Sequence, residues 1–401
     1  MVVHTEFILQ LAVLLIAASI GGIVASRFRY PSALGELIAG VLIGPYALSV
    51  VEHTEVLFVF AELGAIMLLF YTGLEAEFDQ LRKHVAQSML IGAVGAILPF
   101  ILGYSTMLYL GYGEGQGLLV GAVLTATSLG ITTRILRDMG QLHTREGHIV
   151  MGAGVIDDIL AVIILSVVLG VLSGSFSPTD VTLTVAKAIV FWAITLFVGM
   201  RILTRVFDRY SHGIESFLIL LIAVCFVGAL VAGRIGLSSI IGAFAVGLSL
   251  SKMRRIGYVR EKLHSIYILF VPIFFVSTGM LIDIRTFGDI VIPGIVISLV
   301  AIAGKIIGCG GVAYLAGWQK KEALRLGVAM TPRGEMGLAI ASLGLATGYL
   351  GSEVYGIAVM AVAVTTITAL PLLKILFRPS EHLVEAKHMK ARSAQPAEQR
   401  D

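Results

Sequence analysis

The stretch GAGVIDDILAVIILS, residues 152–166, places Asp157 and Asp158 side by side inside an apolar run that extends from Ile149 to Leu172. A run of this length can cross a membrane as one helix. A carboxylate at bilayer depth is energetically costly, so such residues are rare there and usually belong to ion or proton paths. Two adjacent carboxylates are even harder to ionise together in a poorly solvated site. The stretch therefore predicts a transmembrane helix that carries a functional acidic pair.

The composition is that of a chain embedded in a membrane. Of its 401 residues, 57% are hydrophobic and 14% are charged, whereas soluble domains carry about 25% charged residues. These values predict an all-α polytopic membrane protein with little room for a soluble domain. Cys225 and Cys309 lie in apolar segments without metal-ligand spacing, which favours packing roles. Met1–Gln10 contains no Lys or Arg, so we expect the first apolar run to be a retained span and not a cleaved signal peptide.

Thirteen apolar runs have lengths that suit membrane spans. They cover residues 6–26, 31–49, 55–74, 85–110, 116–138, 146–172, 181–206, 214–232, 236–251, 264–282, 288–317, 322–348 and 354–377. Connections after odd-numbered runs are basic, and the connection after the fifth holds Arg134, Arg137 and Arg145. Connections after even-numbered runs contain few basic residues, with Arg234 and Arg285 as the main exceptions. Because basic loops stay in the cytoplasm, we expect the N-terminus outside and the C-terminus inside, in the cytoplasmic (inner) membrane of a prokaryote.

Two of the predicted spans are interrupted. Residues 125–133 contain four threonines and a serine, and residues 330–337 read MTPRGEMG. Proline removes a helical hydrogen bond, and a nearby glycine loosens the turn. Such breaks persist at membrane depth only where the freed backbone groups face protein, ions or water, and a matched pair of them indicates a transporter site. The hydroxyl-rich run is equally typical of helix–helix packing, so the residues alone leave both interpretations open.

The positions of the two breaks suggest inverted repeats. The two repeats would cover residues 6–172 and 214–377, with a linker helix at 181–206 between them. The fifth and twelfth spans are then equivalent, and the two repeats enter the membrane from opposite sides. Residues 1–379 then form one transmembrane domain. Residues 380–401 are polar and predict a disordered cytoplasmic tail.

A lysine, Lys305, lies near the middle of the eleventh predicted span. At that depth it needs an acidic partner or must lose its proton, and Asp157 and Asp158 are the candidates. Neighbouring helical residues point about 100° apart, so the two aspartates cannot do the same job. Competition between a cation and a proton for one carboxylate is sufficient for exchange, and a lysine that releases its aspartate could carry a second proton. A static Asp–Lys bridge between two helices is the alternative.

Other polar residues give weaker signals. Arg333 and Glu335 could form a buried ion pair that holds the kinked twelfth span. His143 and His148 lie near the cytoplasmic end of the sixth span, where they could respond to pH. Interfacial histidines usually have no special role, so this interpretation stays one of two.

The segments together resemble the cation/proton antiporter superfamily, and most of all its NapA-type sodium/proton antiporters. The resemblance covers the chain to about Pro379 and rests on six segments: RYPSALGELIAGVLIGP (29–45), LTATSLGITTRIL (124–136), GAGVIDDILAVIILS (152–166), FVPIFFVSTGM (270–280), AGKIIG (303–308) and MTPRGEMGLAI (330–340). It implies a homodimer in which a six-helix part of each protomer moves like an elevator. It also implies crossed, discontinuous helices around the aspartate pair.

The resemblance implies roles for individual residues at the first break. Asp158 would be the main carrier of cation and proton, and Asp157 would bridge to Lys305. Both aspartates are expected Na⁺ ligands. Thr127 and Ser128, in the first interrupted stretch, would lie near the ion.

At the second break, Arg333 and Glu335 would organise the helix crossing. The implied activity is electrogenic exchange of Na⁺ or Li⁺ for H⁺, as in pH homeostasis, with no cofactor and no nucleic-acid partner. The Asp-Asp pair favours this activity over the related potassium-efflux branch, which typically has Gln-Asp.

Three alternatives remain at this level. A K⁺/H⁺ antiporter or a mixed-selectivity exchanger would differ only in the ion. A sodium-coupled organic-anion symporter would need a larger cavity, and no basic or aromatic cluster in the sequence plainly forms one. A channel or a membrane enzyme would need repeated filter motifs or a catalytic set within the spans. The sequence has neither, so we expect a transporter and not an enzyme.

Overall fold

A computed structural model describes most of the chain as helices. It describes residues 2–28, 30, 32–52, 54–174, 177–205, 214–282, 285 and 287–377. Within these ranges there is no β-strand, which confirms the predicted all-α class. The predicted cytoplasmic tail, residues 380–401, lies outside the described residues.

The α-helices follow one another along the chain with short connections. They are α1 (Val2–Arg27), α2 (Ser32–Ile43), α3 (Glu55–Glu75), α4 (Phe78–Lys83), α5 (Val85–Tyr109), α6 (Glu114–Thr125), α7 (Leu129–Asp138), α8 (Arg145–Leu172), α9 (Pro178–Val198), α10 (Ile214–Arg234), α11 (Ser239–Leu250), α12 (Ile256–Met280), α13 (Phe287–Lys305), α14 (Gly311–Leu315), α15 (Lys320–Ala329), α16 (Glu335–Ala346) and α17 (Ser352–Leu376). Two π-helical segments, Gly199–Leu203 and Ile306–Gly310, follow α9 and α13 without a gap.

The described helices confirm a multi-pass membrane protein. Ten segments are long and apolar enough to cross a membrane: Glu6–Arg27, Glu55–Glu75, Val85–Tyr109, Glu114–Asp138, Arg145–Leu172, Thr182–Leu203, Phe217–Arg234, Ile256–Met280, Ile290–Leu315 and Ser352–Leu376. Shorter apolar helices, Ser32–Ile43, Ser239–Leu250 and Met336–Leu345, lie where the second, ninth and twelfth spans are predicted. The count of thirteen spans and the repeat arrangement stay predictions.

Threonine caps set the beginnings of two long helices. Thr54 Oγ1 accepts a hydrogen bond from the N–H of Leu57 at 3.3 Å, and Thr144 Oγ1 accepts one from the N–H of Gly147 at 3.2 Å. Each bond satisfies an N–H group that has no acceptor within its own helix. Thr144 thereby fixes the start of α8, the helix that carries the acidic pair.

Burial distinguishes the central helices from the peripheral ones. In the apolar window of Glu6–Arg27 only 17% of residues are buried, whereas in that of Glu114–Asp138 the share is 94%. Exposed side chains of α1 are large and apolar, as expected of a surface that faces lipid; they include Ile8, Ile16, Ile20 and Ile23. The interrupted segment formed by α6 and α7 is therefore at the centre of the fold.

The helices pack as two groups. Helices α5, α6, α7 and α8 pack with α13, α15, α16 and α17, and we call this group the site bundle. Helices α1, α2 and α3 pack with α10, α11 and α12, and we call this group the flanking bundle. Helix α9 contacts α8 in the site bundle and α11 in the flanking bundle.

Arginines of α7 join the two bundles. Arg134 and Arg137 each donate a hydrogen bond to the hydroxyl of Tyr267 in α12, at 2.8 Å. Arg137 also pairs with Glu75 of α3 at 2.9 Å, and Arg134 lies 3.6 Å from Glu36 of α2. The sequence places both arginines among the basic residues of the connection after the fifth predicted span. The structure corrects this, because they are largely buried residues of α7 that face the other bundle.

The connection between α5 and α6 is tied to α17. Tyr112 donates a hydrogen bond to Glu353 Oε1 at 2.7 Å. Burial, with the hydrogen bond and charge of Glu353, raises the pKa of Tyr112 to about 12. The hydroxyl therefore stays protonated, and remains a donor, throughout the neutral pH range.

Glycines allow α3 and α11 to cross with their backbones in contact. A Cβ added to Gly73 would overlap the carbonyl oxygen of Phe244, and one added to Gly247 would overlap that of Phe70. Neither overlap can be relieved by a side-chain rotation, because the opposing atoms belong to the backbone. The flanking bundle therefore depends on glycine at these two positions.

We expect Gly247→Ala to lower the melting temperature of the purified protein by several degrees. The added methyl group forces α3 and α11 apart, and overpacking of this kind costs about 1–3 kcal/mol. Thermal unfolding in detergent measures the effect. Gly257→Ala is the matched control, because a Cβ at that glycine of α12 would meet nothing within 4 Å. Equal melting temperatures for the two variants would contradict the close crossing.

Candidate ion-binding site

The first helix break lies between α6 and α7. Helix α6 ends at Thr125, and Ala126 has an extended backbone with φ −66° and ψ 138°. Ser128 then caps α7, since its Oγ accepts a hydrogen bond from the N–H of Ile131 at 3.4 Å. Serine and threonine side chains compete with backbone groups for hydrogen bonds, which suits them to such a break. The interruption predicted from the hydroxyl-rich run is confirmed.

The second break lies between α15 and α16 and contains the predicted proline. Helix α15 ends at Ala329, and α16 begins at Glu335. Pro332 has no N–H to donate, so the helix cannot run through it undisturbed. A Cβ on Gly334 would come within 2.8 Å of Ser128 Oγ. The glycine therefore lets the second break lie directly against the first.

Hydrogen bonds join the two breaks. The N–H of Ser128 donates to the carbonyl oxygen of Pro332 at 2.8 Å. Thr127 Oγ1 donates to the carbonyl oxygen of Met330 at 3.1 Å. Helix α6 packs beside α16. Because α6 ends at the first break and α16 begins at the second, the two interrupted segments run in opposite directions. Backbone groups freed by one break are thus satisfied by the other, as membrane depth requires.

Two further threonines, which the sequence did not single out, support the crossing. Thr132 Oγ1 donates to the carbonyl oxygen of Ala329 at 3.0 Å. Thr366 of α17 accepts a hydrogen bond from the N–H of Arg333 at 3.1 Å and donates one to its carbonyl oxygen. Thr132 belongs to the hydroxyl-rich run and could have been included on that ground. Thr366 lies between Thr365 and Thr368 in a mostly apolar helix, which is a weak signal.

Asp157 and Lys305 form a fully buried ion pair. Both side chains are 0% exposed, and Lys305 Nζ lies 2.8 Å and 2.9 Å from the two carboxylate oxygens of Asp157. Lys305 Nζ also donates to the carbonyl oxygen of Thr125, the last residue of α6, at 2.7 Å. Asp158 is buried but retains 7% exposure. The structure thus pairs Lys305 with the first aspartate, and the roles of both aspartates in transport stay predictions.

Arg333 is a second fully buried cation. Its guanidinium group donates to the carbonyl oxygens of Thr331 at 3.1 Å, Leu124 at 2.7 Å and Ala301 at 3.4 Å. It therefore links the end of α6, the second break and α13. The side chain of Glu335 lies outside the described residues, and so does the predicted pair of Arg333 with Glu335.

The described side chains at the breaks include two acids and two bases. Asp157 and Asp158 carry two negative charges when ionised, and Lys305 and Arg333 carry two positive ones. Both cations contact the last carbonyl groups of α6, where the helix dipole is negative. The site thus combines carboxylate, hydroxyl and carbonyl oxygens at membrane depth. Such oxygens, at the ends of unwound helices, coordinate Na⁺ and H⁺ in transporters.

Comparisons with known proteins agree with this architecture. Residues 14–378 match the family described as sodium/hydrogen exchanger, transmembrane. The chain is 34% identical to the Na(+)/H(+)-K(+) antiporter GerN of Bacillus cereus over 387 residues, which are 95% of this chain and 99% of GerN. It is 32% identical to the high-affinity Na(+)/H(+) antiporter NhaS3 of Synechocystis, over 92% of this chain and 89% of that protein.

A solved structure has the same fold. The sodium proton antiporter MjNhaP1 of Methanocaldococcus jannaschii superposes with a TM-score of 0.71 at 19% identity, over 93% of this chain and 99% of that chain. The resemblance inferred from the motifs is confirmed, because the family match covers most of the sequence. The chain belongs to the sodium/hydrogen exchanger family.

Proposed function

We propose that this protein is a secondary active antiporter that exchanges Na⁺ or Li⁺ for H⁺ across the cytoplasmic membrane of a prokaryote. The observation that carries the proposal is the buried Asp157–Lys305 pair beside Asp158, at two crossed and interrupted helices. Family membership supports it, and so does the similarity to GerN and NhaS3, both of which are named as Na(+)/H(+) antiporters.

Asp158 is the carboxylate at which the cation and the proton compete in this proposal. Lys305 already compensates the charge of Asp157. Asp158 points about 100° away from Asp157 around α8 and keeps some exposure. Na⁺ needs the ionised carboxylate, whereas protonation removes the charge, so the two ions exclude each other. Thr127 and Ser128 would contribute oxygen atoms near the ion.

Lys305 would make the exchange electrogenic. When Na⁺ arrives, Asp157 can turn to the ion and release the lysine. An unpaired lysine in a poorly solvated site favours its neutral form and gives up its proton. The protonation of Asp158 on the return step supplies the second proton. Each cycle then moves two H⁺ against one Na⁺ and transfers one net charge.

Alternating access would come from movement of the site bundle against the flanking bundle. The flanking bundle would also form the contact between the two protomers of a homodimer. The polar contacts of Arg134 and Arg137 with Tyr267 and Glu75 support this division. When the bundles separate, water can hydrate the charged and polar groups on both sides of these contacts. The backbone crossing at Gly73 and Gly247 lies inside one bundle and cannot open in this way.

K⁺/H⁺ exchange, or exchange of mixed selectivity, is the second candidate. GerN, to which the chain is similar, is named as a Na(+)/H(+)-K(+) antiporter. A carboxylate pair with a lysine fits either ion, because both cations take oxygen ligands. Cavity size and ligand number would then decide the selectivity.

We expect Asp158→Asn to abolish Na⁺-dependent and Li⁺-dependent proton movement, because asparagine keeps the shape of the side chain but cannot ionise. A pH-sensitive dye in proteoliposomes, challenged separately with Na⁺, Li⁺ and K⁺, measures the exchange. Glu62→Gln is the matched control, because Glu62 is an exposed acid of α3. Exchange at the unmodified rate in Asp158→Asn would rule out this carrier, and a response of the unmodified protein to K⁺ alone would replace Na⁺ with the second candidate.

We expect Lys305→Gln to keep cation-dependent exchange but to lose its dependence on membrane potential. Glutamine can still donate hydrogen bonds to Asp157 but carries no titratable proton. Exchange in proteoliposomes under an imposed potassium-diffusion potential measures the effect. A voltage response equal to that of the unmodified protein would show that Lys305 carries no proton.

We expect Asp157→Asn to destabilise the protein and a second change to restore it. Removing one partner of a buried ion pair leaves an uncompensated charge and costs about 3–5 kcal/mol. The melting temperature of Asp157→Asn should therefore fall, and that of the double variant Asp157→Asn/Lys305→Gln should return most of the way. If both variants melt like the unmodified protein, the pair is not important for stability.

A further inference from the structure

Three ligand-type side chains lie together outside the aspartate site, at the end of the protein that the sequence predicts to be cytoplasmic. They are Glu77, the residue before α4, His143 in the α7–α8 connection, and His148 in the first turn of α8. One ligand atom from each lies within 4.8 Å of the other two. His143 Nδ1 is 3.7 Å from Glu77 Oε1, and His148 Nε2 is 4.0 Å from Glu77 Oε2. We call these three residues the Glu77 cluster.

His148 supplies a second, independent observation. The residue is only 4% exposed, and its Nε2 is buried without a hydrogen-bond partner among the described residues. Buried polar atoms are nearly always satisfied, so an orphaned one calls for an explanation. Nε2 lies 4.0 Å from Glu77 Oε2, which is too long for a hydrogen bond. An atom bound between the two side chains would satisfy both.

We propose that the Glu77 cluster binds a divalent transition-metal ion of the Zn²⁺ class. Two imidazole nitrogens and one carboxylate oxygen form a ligand set that zinc uses in proteins, with a fourth position left for water. Zn–N and Zn–O bonds of about 2.0–2.2 Å place neighbouring ligand atoms roughly 3.3 Å apart in a tetrahedron. The present separations are longer, at 3.7 Å from His143 Nδ1 to Glu77 Oε1 and 4.0 Å from His148 Nε2 to the other oxygen, Oε2. All three ligand atoms lie within 4.8 Å of one another, so the cluster must contract by roughly an ångström to coordinate one ion.

The exposed members of the cluster can supply that contraction. The side chains of His143 and Glu77 are each 52% exposed, so both can rotate. His148 is fixed by burial and provides the rigid reference atom. The three residues line a cavity of about 570 Å³, which His84 also lines. A metal ion with one or two water molecules fits in this space.

The charges and ligand types of the cavity both bear on which cations can bind. Lys83 and Arg145 also line it, although the guanidinium group of Arg145 stacks over Trp318, 4.0 Å from the ring centroid. With a single carboxylate among the three ligands, hard ions such as Mg²⁺ or Ca²⁺ lack the oxygen ligands they require. Imidazole coordination favours zinc and its neighbours instead.

A bound ion would fix a connection between the bundles. Helix α4 joins α3 of the flanking bundle to α5 of the site bundle, and Glu77 precedes it directly. Coordination by Glu77 together with His148 would tie this connection to the start of α8. A restraint on transport would follow only if the proposed bundle movement is correct, whereas metal binding itself does not depend on it.

The test is metal binding by the whole chain, purified in detergent. The affinity tag is removed first, and a chelator then strips the protein of metal. Isothermal titration with Zn²⁺ should give one site for each chain, and Co²⁺ should give the visible absorption of a tetrahedral site. His143→Gln and Glu77→Gln, both at exposed positions, should each weaken Zn²⁺ binding. Changes to residues that only hydrogen-bond to a metal ligand lower the metal affinity roughly 10–100-fold. We expect removal of a direct ligand to lower the Zn²⁺ affinity by more than this.

Matched controls separate this site from other zinc ligands. His264→Gln removes an exposed histidine elsewhere, and His382→Gln/His388→Gln removes the two histidines near the C-terminus. Both should leave the affinity unchanged, and the thiols of Cys225 and Cys309 are buried and cannot compete. Unchanged affinity in His143→Gln, or no saturable Zn²⁺ binding by the unmodified protein, would overturn the proposal. Because it measures no transport, this outcome is independent of the proposed exchange activity.

Discussion

The C-terminal end of α6 lies at the centre of the protein, and its carbonyl groups determine what can surround it. Helix ends leave their last carbonyl groups without helical donors, and at membrane depth no bulk water replaces them. Lys305 donates to the carbonyl of Thr125, and Arg333 donates to that of Leu124. The break after α6 is therefore stabilised by buried cations, and these need an acidic partner such as Asp157. The helix break, the two buried cations and Asp157 stabilise one another, so each of them depends on the others.

The contacts of Lys305 make it suited to a change of charge. A protonated lysine has three N–H donors, and here they contact both a carboxylate and a carbonyl group. After it loses one proton, the amine keeps two donors and can still satisfy Thr125. The end of α6 therefore stays satisfied after Asp157 has turned to the ion and the released lysine has lost its proton. A lysine bound only to Asp157 would lack this second acceptor, so the carbonyl contact is what makes proton release compatible with the fold.

The sequence was sufficient for the helical class, both breaks and the candidates for a buried Asp–Lys pair, because membrane depth makes charges and prolines costly and hence informative. It was insufficient for contacts that depend on how helices meet. Thr366 supports Arg333 from a different helix, and the threonines beside it in sequence do not identify this partner. Arg134 and Arg137 fit the rule for basic cytoplasmic residues, and only the packing of α7 shows that they contact Tyr267. The rule uses charge and position but contains no information on partners.

The same arginines indicate where the two bundles can separate. Arg134 and Arg137 lie 5.3 Å and 5.1 Å from the centroid of the Tyr267 ring, so two like charges share one aromatic partner. Glu75 and Glu36 compensate them from the flanking bundle. These pairs are largely buried, and their charged groups lost hydration when the bundles packed together. When the bundles separate, the groups regain that hydration, which offsets the lost attraction between them. Close backbone crossings gain dispersion energy that water cannot replace. This difference in chemistry is the physical reason for placing the proposed movement at the α7 interface and not within either bundle.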